Sequence, residues 1–427
     1  MMIRSNAVLL AAIAVSAVSQ SSIFAVLPPL ARDIGLSDIE IGSVASIAAF
    51  CFVASAPFLG SLSERHGRVP FIVTGLAAAI VTNLIFALTL QAGLGGALSA
   101  AAVYGLLLGS RIMLNISWGG MFPAAFAYMA DSAPAERRST GAALIGAAFG
   151  IGSIVGPSVA WALTPFGSTA PFIGIASLSL ASLIAVMLRL PEPRAAATHG
   201  HDAAEPDAPA SADGFAQALM RLWPYLLIGL AAAMAAIMIQ QLTAFRLQDQ
   251  FDLTTADAAR YAGFALTVLA IATVAAQSLV IWRGESWRPA TLLCLGAGAA
   301  VIGSAGFALA GLVPAALDNL ALVLQCTALV MLGIGIGFVL PSNAAAVMLA
   351  TGAHSQGRAA GLLNAALGAG TMAGPLLGTA LYRVSPSGPF ALATLLFSVA
   401  LIAAVWLRLQ PTSDLNLPEA CADPSAK

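Results

Sequence analysis

The sequence predicts an all-α membrane protein with twelve transmembrane helices, arranged as two pseudo-symmetric bundles of six. Three observations predict it: the composition is apolar, apolar runs of spanning length recur twelve times, and a motif of the first half returns in the second. Of 427 residues, 59% are hydrophobic and 9% are charged, against roughly 25% charged residues in soluble domains. Because a soluble fold needs a polar exterior, this composition indicates a chain that lies in lipid.

The composition also excludes several classes of function. A net charge of −1 gives no basic surface for nucleic acid. The four cysteines are scattered, without the spacing of a metal site or a disulfide framework. The only lysine is Lys427, whereas a Walker phosphate loop needs a lysine after its glycines. We therefore expect no cofactor, no metal and no ATP hydrolysis by such a loop.

Apolar stretches recur at the length that crosses a bilayer, since about 20 helical residues span its ~30 Å core. They lie near 7–30, 39–61, 70–91, 98–130, 141–164, 170–190, 222–245, 261–282, 289–313, 319–350, 359–383 and 388–409. The first stretch follows Arg4, as in a secretory signal, but it is too long for the apolar part of one. It is therefore predicted to be the first transmembrane helix.

Basic residues set the predicted orientation. If the first helix starts in the cytoplasm, the basic residues that fall inside are Arg4, Arg65, Arg68, Arg137, Arg138, Arg189, Arg194, Arg221, Arg283, Arg288, Arg358, Arg408 and Lys427. Those that fall outside are Arg32, Arg246, Arg260 and Arg383. This excess agrees with the positive-inside rule. We therefore expect a multi-pass protein of a plasma membrane, such as a bacterial inner membrane, with both termini in the cytoplasm.

A polar stretch divides the chain into halves. Residues 195–211 are rich in Ala, Pro, Asp and His and have no apolar periodicity, which is typical of a flexible linker. The predicted units are an N-terminal six-helix bundle (1–190), a cytoplasmic linker (191–218), a C-terminal six-helix bundle (219–410) and a cytoplasmic tail (411–427). We interpret His199 and His201 as solvated linker residues rather than metal ligands.

The two halves carry the same motif, G-x-G-[ST]-x-x-G-P, in predicted helices five and eleven, 218 residues apart. The motif includes Gly152, Gly156, Pro157, Gly370, Gly374 and Pro375. Its return in the same order indicates a duplicated unit. Small residues allow close helix packing, and a Gly-Pro pair permits a kink. Two interpretations stay open: tight packing alone, or a bending interface that opens and closes a cavity.

The loop after predicted helix two contains Gly60, Leu62, Glu64, Arg65, Gly67 and Arg68. It resembles the signature G-x-L-x-D-R-x-G-R-[KR] of the major facilitator superfamily, with Glu64 for Asp and Val69 for the last basic residue. The resemblance covers nearly the whole chain outside the linker. It implies the major facilitator fold, with two six-helix bundles around a central cavity.

In that family, the acid and the basic residue of this motif form a charge cluster with an acid at the cytoplasmic end of helix four. The resemblance places that acid at Asp131. The cluster is then a latch that holds the halves together in the outward-open state. The alternative interpretation is an anchor that follows the positive-inside rule.

Three segments resemble the twelve-helix drug and metabolite efflux branch, similar to tetracycline antiporters. They are the Gly-Pro motif of helix five, the segment from Leu27 to Ile34 and the Tyr-x-x-Asp end of helix four, Tyr128 to Asp131. The resemblance implies a secondary active transporter that works by alternating access and exports a small organic compound. Its partners are then a small-molecule substrate, protons and the lipid bilayer, and it acts as a monomer.

Arg111 is the only basic residue inside a predicted span. A charge at the bilayer centre costs about 2.5–3.5 kcal/mol on insertion scales, so it should face a cavity or a partner. At helical spacing, Tyr104, Asn115 and Trp118 lie on the same face, and we expect this stripe to line the cavity. The alternative is that Arg111 bonds to backbone carbonyls. The family has glycine where this chain has Asn115.

Other polar residues extend this candidate site. By family position, helices one, four, seven and ten line the cavity, which adds Gln20, Gln240, Gln241 and Asn343. Each can also serve as a hydrogen bond between helices. No Asp or Glu lies in the middle of a predicted span. A lone cation without anions predicts an anionic or zwitterionic substrate, with the coupling proton on an edge carboxylate or on the substrate itself.

Three alternatives to an exporter remain. The first is an importer or exchanger of small organic anions, such as carboxylates, on the same fold. A membrane-embedded enzyme is disfavoured, because all four histidines lie in predicted cytoplasmic segments. A receptor without transport would have its cavity filled by side chains. Fold alone does not decide among them.

Overall fold

The computed structural model describes residues 2–131, 138–192, 212–283, 287–314, 317–351 and 356–409. Within these ranges lie twelve long helices. They are α1 (Met2–Asp33), α2 (Asp38–His66), α3 (Val69–Leu94), α4 (Ala100–Asp131), α5 (Arg138–Leu163), α6 (Ala170–Arg189), α7 (Ala212–Gln250), α8 (Thr255–Arg283), α9 (Pro289–Ala310), α10 (Asp318–Ala350), α11 (Gln356–Val384) and α12 (Gly388–Leu409). The predicted fold class is confirmed.

All twelve helices are long and apolar enough to cross a membrane. The longest apolar stretches give α4 and α10, with 32 and 33 residues, so these helices tilt or project beyond the hydrocarbon core. Both continue through an internal proline. Local signals set other ends: Ser37 and Glu40 form a capping box at the start of α2, which satisfies backbone N–H groups that have no partner within the helix.

The helix pairs repeat in the two halves. In the N-terminal half, α1 packs on α5, α2 on α4, and α3 on α6. In the C-terminal half, α7 packs on α11, α8 on α10, and α9 on α12. Because each partner lies six helices further along, the bundles are copies of one unit. The halves meet where α2 contacts α11, α5 contacts α8, and α1 contacts α7 and α8.

We name the two ends of the bundle after the predicted orientation. The outer end carries the short turns at 34–37, 95–99, 167–169, 251–254 and 385–387. The inner end carries the start of α1 and the turn at 67–68 between α2 and α3. These two ends hold different parts of the candidate site.

The structure departs from the predicted boundaries at the linker. The prediction covers 191–218, but α7 already begins at Ala212. Residues 212–218 contain no proline and include Phe215, so the helix extends beyond its apolar span, which begins at Leu219. The stretch 193–211 and the tail 411–427 lie outside the described residues.

Two apolar cores divide the molecule unevenly. The first runs through the C-terminal half and continues into the outer part of the N-terminal half, where it includes Phe24 and Phe86. The second is confined to the inner part of the N-terminal half, around Ile13 and Met121. The two halves therefore pack against each other through apolar contacts at the outer end.

Candidate functional site

A small cavity lies between the halves near the middle of the bundle. Its polar lining consists of Gln20, Arg111, Asn115, Gln241 and Thr371. The rest of the lining is apolar and comes from α1, α2, α7 and α11. The cavity measures about 30 Å³, whereas ligand pockets measure about 300–1,000 Å³. It is therefore contracted, and an organic ligand requires the halves to move apart.

Arg111 is the charged group of this cavity. It is 3% exposed, and its Nη2 donates to Gln20 Oε1 at 2.8 Å. A guanidinium has five N–H donors, and the described lining residues include no carboxylate. A buried charge without a counterion is costly. The site therefore favours a ligand that brings a negative charge.

Four of the eight predicted substrate-binding residues lie together here: Arg111, Gln20, Asn115 and Gln241. Asn115 Nδ2 donates to the carbonyl of Arg111 at 2.9 Å, so Asn115 supports the turn of α4 that carries the arginine. Gln241 is 3% exposed and reaches the cavity from α7. The polar lining thus combines both halves.

The predicted stripe on α4 does not line the cavity along its whole length. The hydroxyl of Tyr104 lies 2.9 Å from Ser43 Oγ on α2. Trp118 is buried in the inner N-terminal core, with its ring 5.9 Å from that of Phe122. The cavity spans about one turn of α4, and these residues lie two turns from Arg111. A role for them in binding stays a prediction.

The remaining two candidates, Asn343 and Gln240, are not among the residues that line the cavity. Asn343 is buried, and its Nδ2 donates to the carbonyl of Tyr225 at 2.9 Å, which ties α10 to α7. Gln240 is half-buried and lies next to Gln241 in the chain, about 100° further round α7. Asn343 fits the alternative interpretation of a hydrogen bond between helices.

An ionic network closes the outer end. Arg32 on α1 donates to Asp38 at 2.8 Å within its own half and to Asp249 on α7 at 2.6 Å across the halves. Tyr382 on α11 also donates to Asp249, at 2.8 Å. The guanidinium lies 4.2 Å from the ring centre of Phe245, a cation–π distance. Of these residues, only Arg32 was singled out from the sequence, as a basic residue on the outer side.

Below this network, α2 and α11 meet in close contact. A Cβ added to Gly42 would lie 2.8 Å from the carbonyl oxygen of Pro375 and would also meet Thr379. One turn further along α2, Ser46 Oγ accepts a hydrogen bond from the backbone N–H of Leu376 at 3.0 Å. We call this contact the α2–α11 seam.

The pseudo-symmetric contact joins α8 and α5. A Cβ added to Gly263 would lie 2.8 Å from the carbonyl oxygen of Pro157 and 2.9 Å from the backbone nitrogen of Trp161. One turn further along α8, the Thr267 hydroxyl lies 3.1 Å from that of Ser158. This α5–α8 seam repeats the glycine, the four-residue spacing and the hydroxyl of the first one.

The predicted bending motifs pack tightly within each half. A Cβ added to Gly156 would lie 2.7 Å from the carbonyl oxygen of Val18 on α1, and one added to Gly374 would lie 2.8 Å from that of Met234 on α7. The same holds for Gly152 and Gly370. Both helices continue through Pro157 and Pro375. The geometry agrees with tight packing, and a bending role stays a prediction.

The predicted latch lies at the inner end. Arg68 Nε lies 3.4 Å from Asp131 on α4, and its Nη1 donates to Ser63 at 3.0 Å. Glu64 lies 3.9 Å from Arg68. In the described part of the chain, these contacts remain within the N-terminal half.

Two other motif residues have simpler surroundings. Gly60 allows α2 to approach Pro123 on α4, since an added Cβ would lie 3.2 Å from the proline Cβ. Arg65 is exposed, which suits an anchor at the membrane surface.

The sequence did contain a signal for the outer network. Arg32 and Arg246 are two of the four basic residues that break the positive-inside pattern. Arg246 is 5% exposed and lies beside Ser387 and Phe390 at the outer end. A basic residue on the outer side, where the positive-inside rule disfavours it, is thus a candidate for an internal contact rather than a surface anchor.

Twelve helices in two repeated bundles, with a polar cavity between them and one closed end, define a class of polytopic membrane transporter. The chain belongs to the Major Facilitator Superfamily, whose family model matches residues 9–365 and 322–422. That family consists of transporters rather than enzymes.

Bacterial efflux proteins are among its relatives. The class B tetracycline resistance protein of Escherichia coli is 27% identical over 371 residues, 85% of this chain and 84% of the relative. The class C protein of Escherichia coli is 32% identical, but over 42% of each chain. The quinolone resistance protein NorA of Staphylococcus aureus is 23% identical over 42% of this chain and 44% of its own length. The last two alignments thus span less than half of each relative.

Solved structures share the fold. An inward-facing bacterial homologue of the human lysosomal transporter Spinster has a TM-score of 0.69 at 15% identity, covering 97% of this chain and 98% of that one. A D-xylose–proton symporter also has a TM-score of 0.69, at 14% identity and 99% coverage of both chains. At this identity, the likeness concerns the fold alone.

Proposed function

We propose that the protein is a secondary active transporter that exports a small organic anion or zwitterion by alternating access. The observation that carries this proposal is the buried Arg111 guanidinium. It faces a cavity between the halves, and no described carboxylate neutralises it there. A substrate carboxylate accepts two N–H groups of a guanidinium in one plane. Gln20 and Gln241 supply further polar contacts from both halves.

The closed outer end and the contracted cavity support alternating access. The Arg32–Asp249 pair joins the halves above the cavity, and the two seams join them beside it. Two glycines nearer the inner end are free of such contacts: a Cβ added to Gly146 or Gly361 meets no atom within 4 Å. A ligand that enters when the halves separate is then exposed to one side at a time.

The relatives support the proposed direction of transport, and the positions of the acidic residues support the proposed coupling to protons. The relatives named for tetracycline and quinolone resistance favour export. The described acids lie at the helix ends, so a coupling proton binds an edge carboxylate or travels on the substrate. An antiporter uses the first route. We also propose the predicted orientation, with both termini in the cytoplasm, and a monomeric transport unit.

The test is flux in liposomes that enclose a pH-sensitive dye. Poorly permeant organic carboxylates and lipophilic cations are added in turn, and empty liposomes report passive entry of neutral acids. We expect carboxylates to move protons and Arg111→Ala to slow this about tenfold or more, since hydrogen bonds to charged groups contribute about 1.5–3 kcal/mol. Arg260→Ala, at an exposed arginine outside the cavity, is the matched control.

Other outcomes separate the alternatives. Labelled carboxylate that leaves only when carboxylate is present outside, without a pH change, indicates an exchanger of organic anions. Proton movement with lipophilic cations that survives Arg111→Ala contradicts the anion proposal.

A further inference from the structure

The turn between α2 and α3 is held by a residue from the far end of the same half. Glu192 follows α6, and its Oε1 accepts a hydrogen bond from the backbone N–H of Arg68. Its Oε2 accepts one from the N–H of Val69 at 2.9 Å. Both N–H groups belong to the start of α3, and Arg68 provides no side-chain cap of its own. Glu192 is therefore the cap of this helix.

The physical chemistry favours a carboxylate at this place. The first N–H groups of a helix have no partner within the helix, and the helix dipole attracts negative charge there. The cap also explains one glycine of the family signature. Gly67 has φ +94°, and an added Cβ would lie 2.9 Å from the carboxyl carbon of Glu192. A side chain at 67 is thus strained and occupies the space of the cap.

The capped residue is also the central residue of the predicted latch. The backbone N–H of Arg68 is bound by Glu192, while its guanidinium reaches Asp131 and Ser63. Because the guanidinium is attached to a fixed backbone, its position depends on the cap.

The same contact also fixes the start of the connection between the halves. Glu192 is the last described residue before that connection. The preceding residue is held as well, because the Tyr128 hydroxyl donates to the carbonyl of Pro191 at 3.0 Å. Tyr128 lies on α4, one turn before Asp131. The end of α6, the start of α3 and the end of α4 therefore form one connected unit.

We propose that Glu192 is a positioning residue of the inner latch: by capping α3 it places Arg68 for its contact with Asp131. The inference rests on the role that the family resemblance predicts for the latch, which is to stabilise the outward-open state. Without the cap, Arg68 is placed less well, and the outward-open state becomes less populated.

The experiment measures the outward-open population without any substrate. Ile237→Cys, in a chain whose native cysteines are replaced, places one thiol in the cavity lining. Intact cells are labelled with a membrane-impermeant maleimide, so the labelling rate reports opening to the outside. We expect Glu192→Ala and Asp131→Asn each to lower this rate about fivefold, as for the loss of one helix cap. The double variant should be no slower than the slower single variant.

Three further variants keep the test specific. Glu192→Asp should restore most of the rate, because it retains the capping charge. Glu40→Gln removes a carboxylate that caps α2 at the outer end through Ser37, and it should leave the rate unchanged. If Glu192→Ala does not fold, Glu192→Gln takes its place, because it removes only the charge of the side chain.

Three results would overturn the inference. If the reductions in labelling rate of the two single variants multiply in the double variant, the cap and the latch act independently. If the labelling rate falls in Asp131→Asn but is unchanged in Glu192→Ala, Arg68 does not need the cap to reach Asp131. An unchanged labelling rate in Asp131→Asn means that the latch does not stabilise the outward-open state, which also contradicts the inference. The liposome flux assay tests the proposed transport separately from all three.

Discussion

The outer and inner ends of this molecule are built by different means. At the outer end, contacts cross between the halves: two seams with glycine at their closest point, a continuous apolar core and one ion pair. At the inner end, Arg68 pairs with Glu64 and Asp131 within the N-terminal half. The second apolar core, around Ile13 and Met121, also stays within that half.

This difference indicates which interactions hold the present state. Close backbone contacts tolerate no added volume, whereas exposed ion pairs contribute little. The outer closure should therefore be sensitive to a methyl group and insensitive to the loss of a charge. Each prediction below uses the Ile237→Cys labelling rate from the outside as the measure of outer opening.

The largest effect is expected where volume enters a seam. Gly42→Leu and Gly263→Leu place side chains against the backbone of α11 and α5, where even a Cβ lies within 2.8 Å of a carbonyl oxygen. Overpacking costs about 1–3 kcal/mol or more, so the labelling rate should rise about tenfold or more. Transport should fall, because the outer end no longer closes.

The control for volume is Gly105→Leu. Gly105 lies in α4, and an added Cβ meets no atom within 4 Å. This variant should label like the parent protein. If it opens the outer end as strongly as Gly42→Leu, the seams are not the cause.

A medium effect is expected from the hydroxyl of the α2–α11 seam. Ser46→Ala removes the hydroxyl that accepts a hydrogen bond from the backbone N–H of Leu376. Loss of one hydrogen bond costs about 0.5–1.5 kcal/mol, so labelling should become about fivefold faster.

In the α5–α8 seam, Ser158→Ala removes the partner of the Thr267 hydroxyl, which sharpens the comparison of the seams. Thr267 keeps its bond to the carbonyl of Gly263 at 2.7 Å when Ser158 is replaced. The rate should therefore change by less than about twofold. Equal effects in both seams would mean that the backbone donor has no special weight.

Composition, span length and the repeat were sufficient to predict the fold. Apolar length decides which segments cross the membrane, and the duplicated Gly-Pro motif indicates two copies of one unit. The boundary at α7 was less predictable, because Ala212 to Ala218 contains Gly214, a helix breaker, and no strong apolar signal, yet it is helical.

The candidate site was predictable only in part. Arg111 and Gln241 stand out, because polar residues inside a span need a reason to be there. Tyr104 and Trp118 share the helical face of Arg111, but periodicity does not tell where along the helix a cavity ends. Glu192 could not be found from local sequence, because its partners lie 124 and 123 residues away.

The smallest effect is expected from the ion pair at the outer end. Asp249→Asn removes the charge that Arg32 meets across the halves at 2.6 Å. The two side chains are 21% and 42% exposed, and exposed pairs contribute about 0.2–1 kcal/mol. Arg32 also keeps Asp38 and the ring of Phe245. Labelling should therefore become less than about fivefold faster.

Salt separates this contribution from the seams. Exposed charges are screened within about 10 Å at 0.1 M salt and about 3 Å at 1 M, so high salt should raise the rate of the parent protein toward that of Asp249→Asn. The variant itself should respond less. The labelling rate of Gly42→Leu should stay above that of the parent protein at every salt concentration, because salt does not screen steric overlap. A shift above tenfold in Asp249→Asn would instead make the ion pair, rather than the seams, the main closure of the outer end.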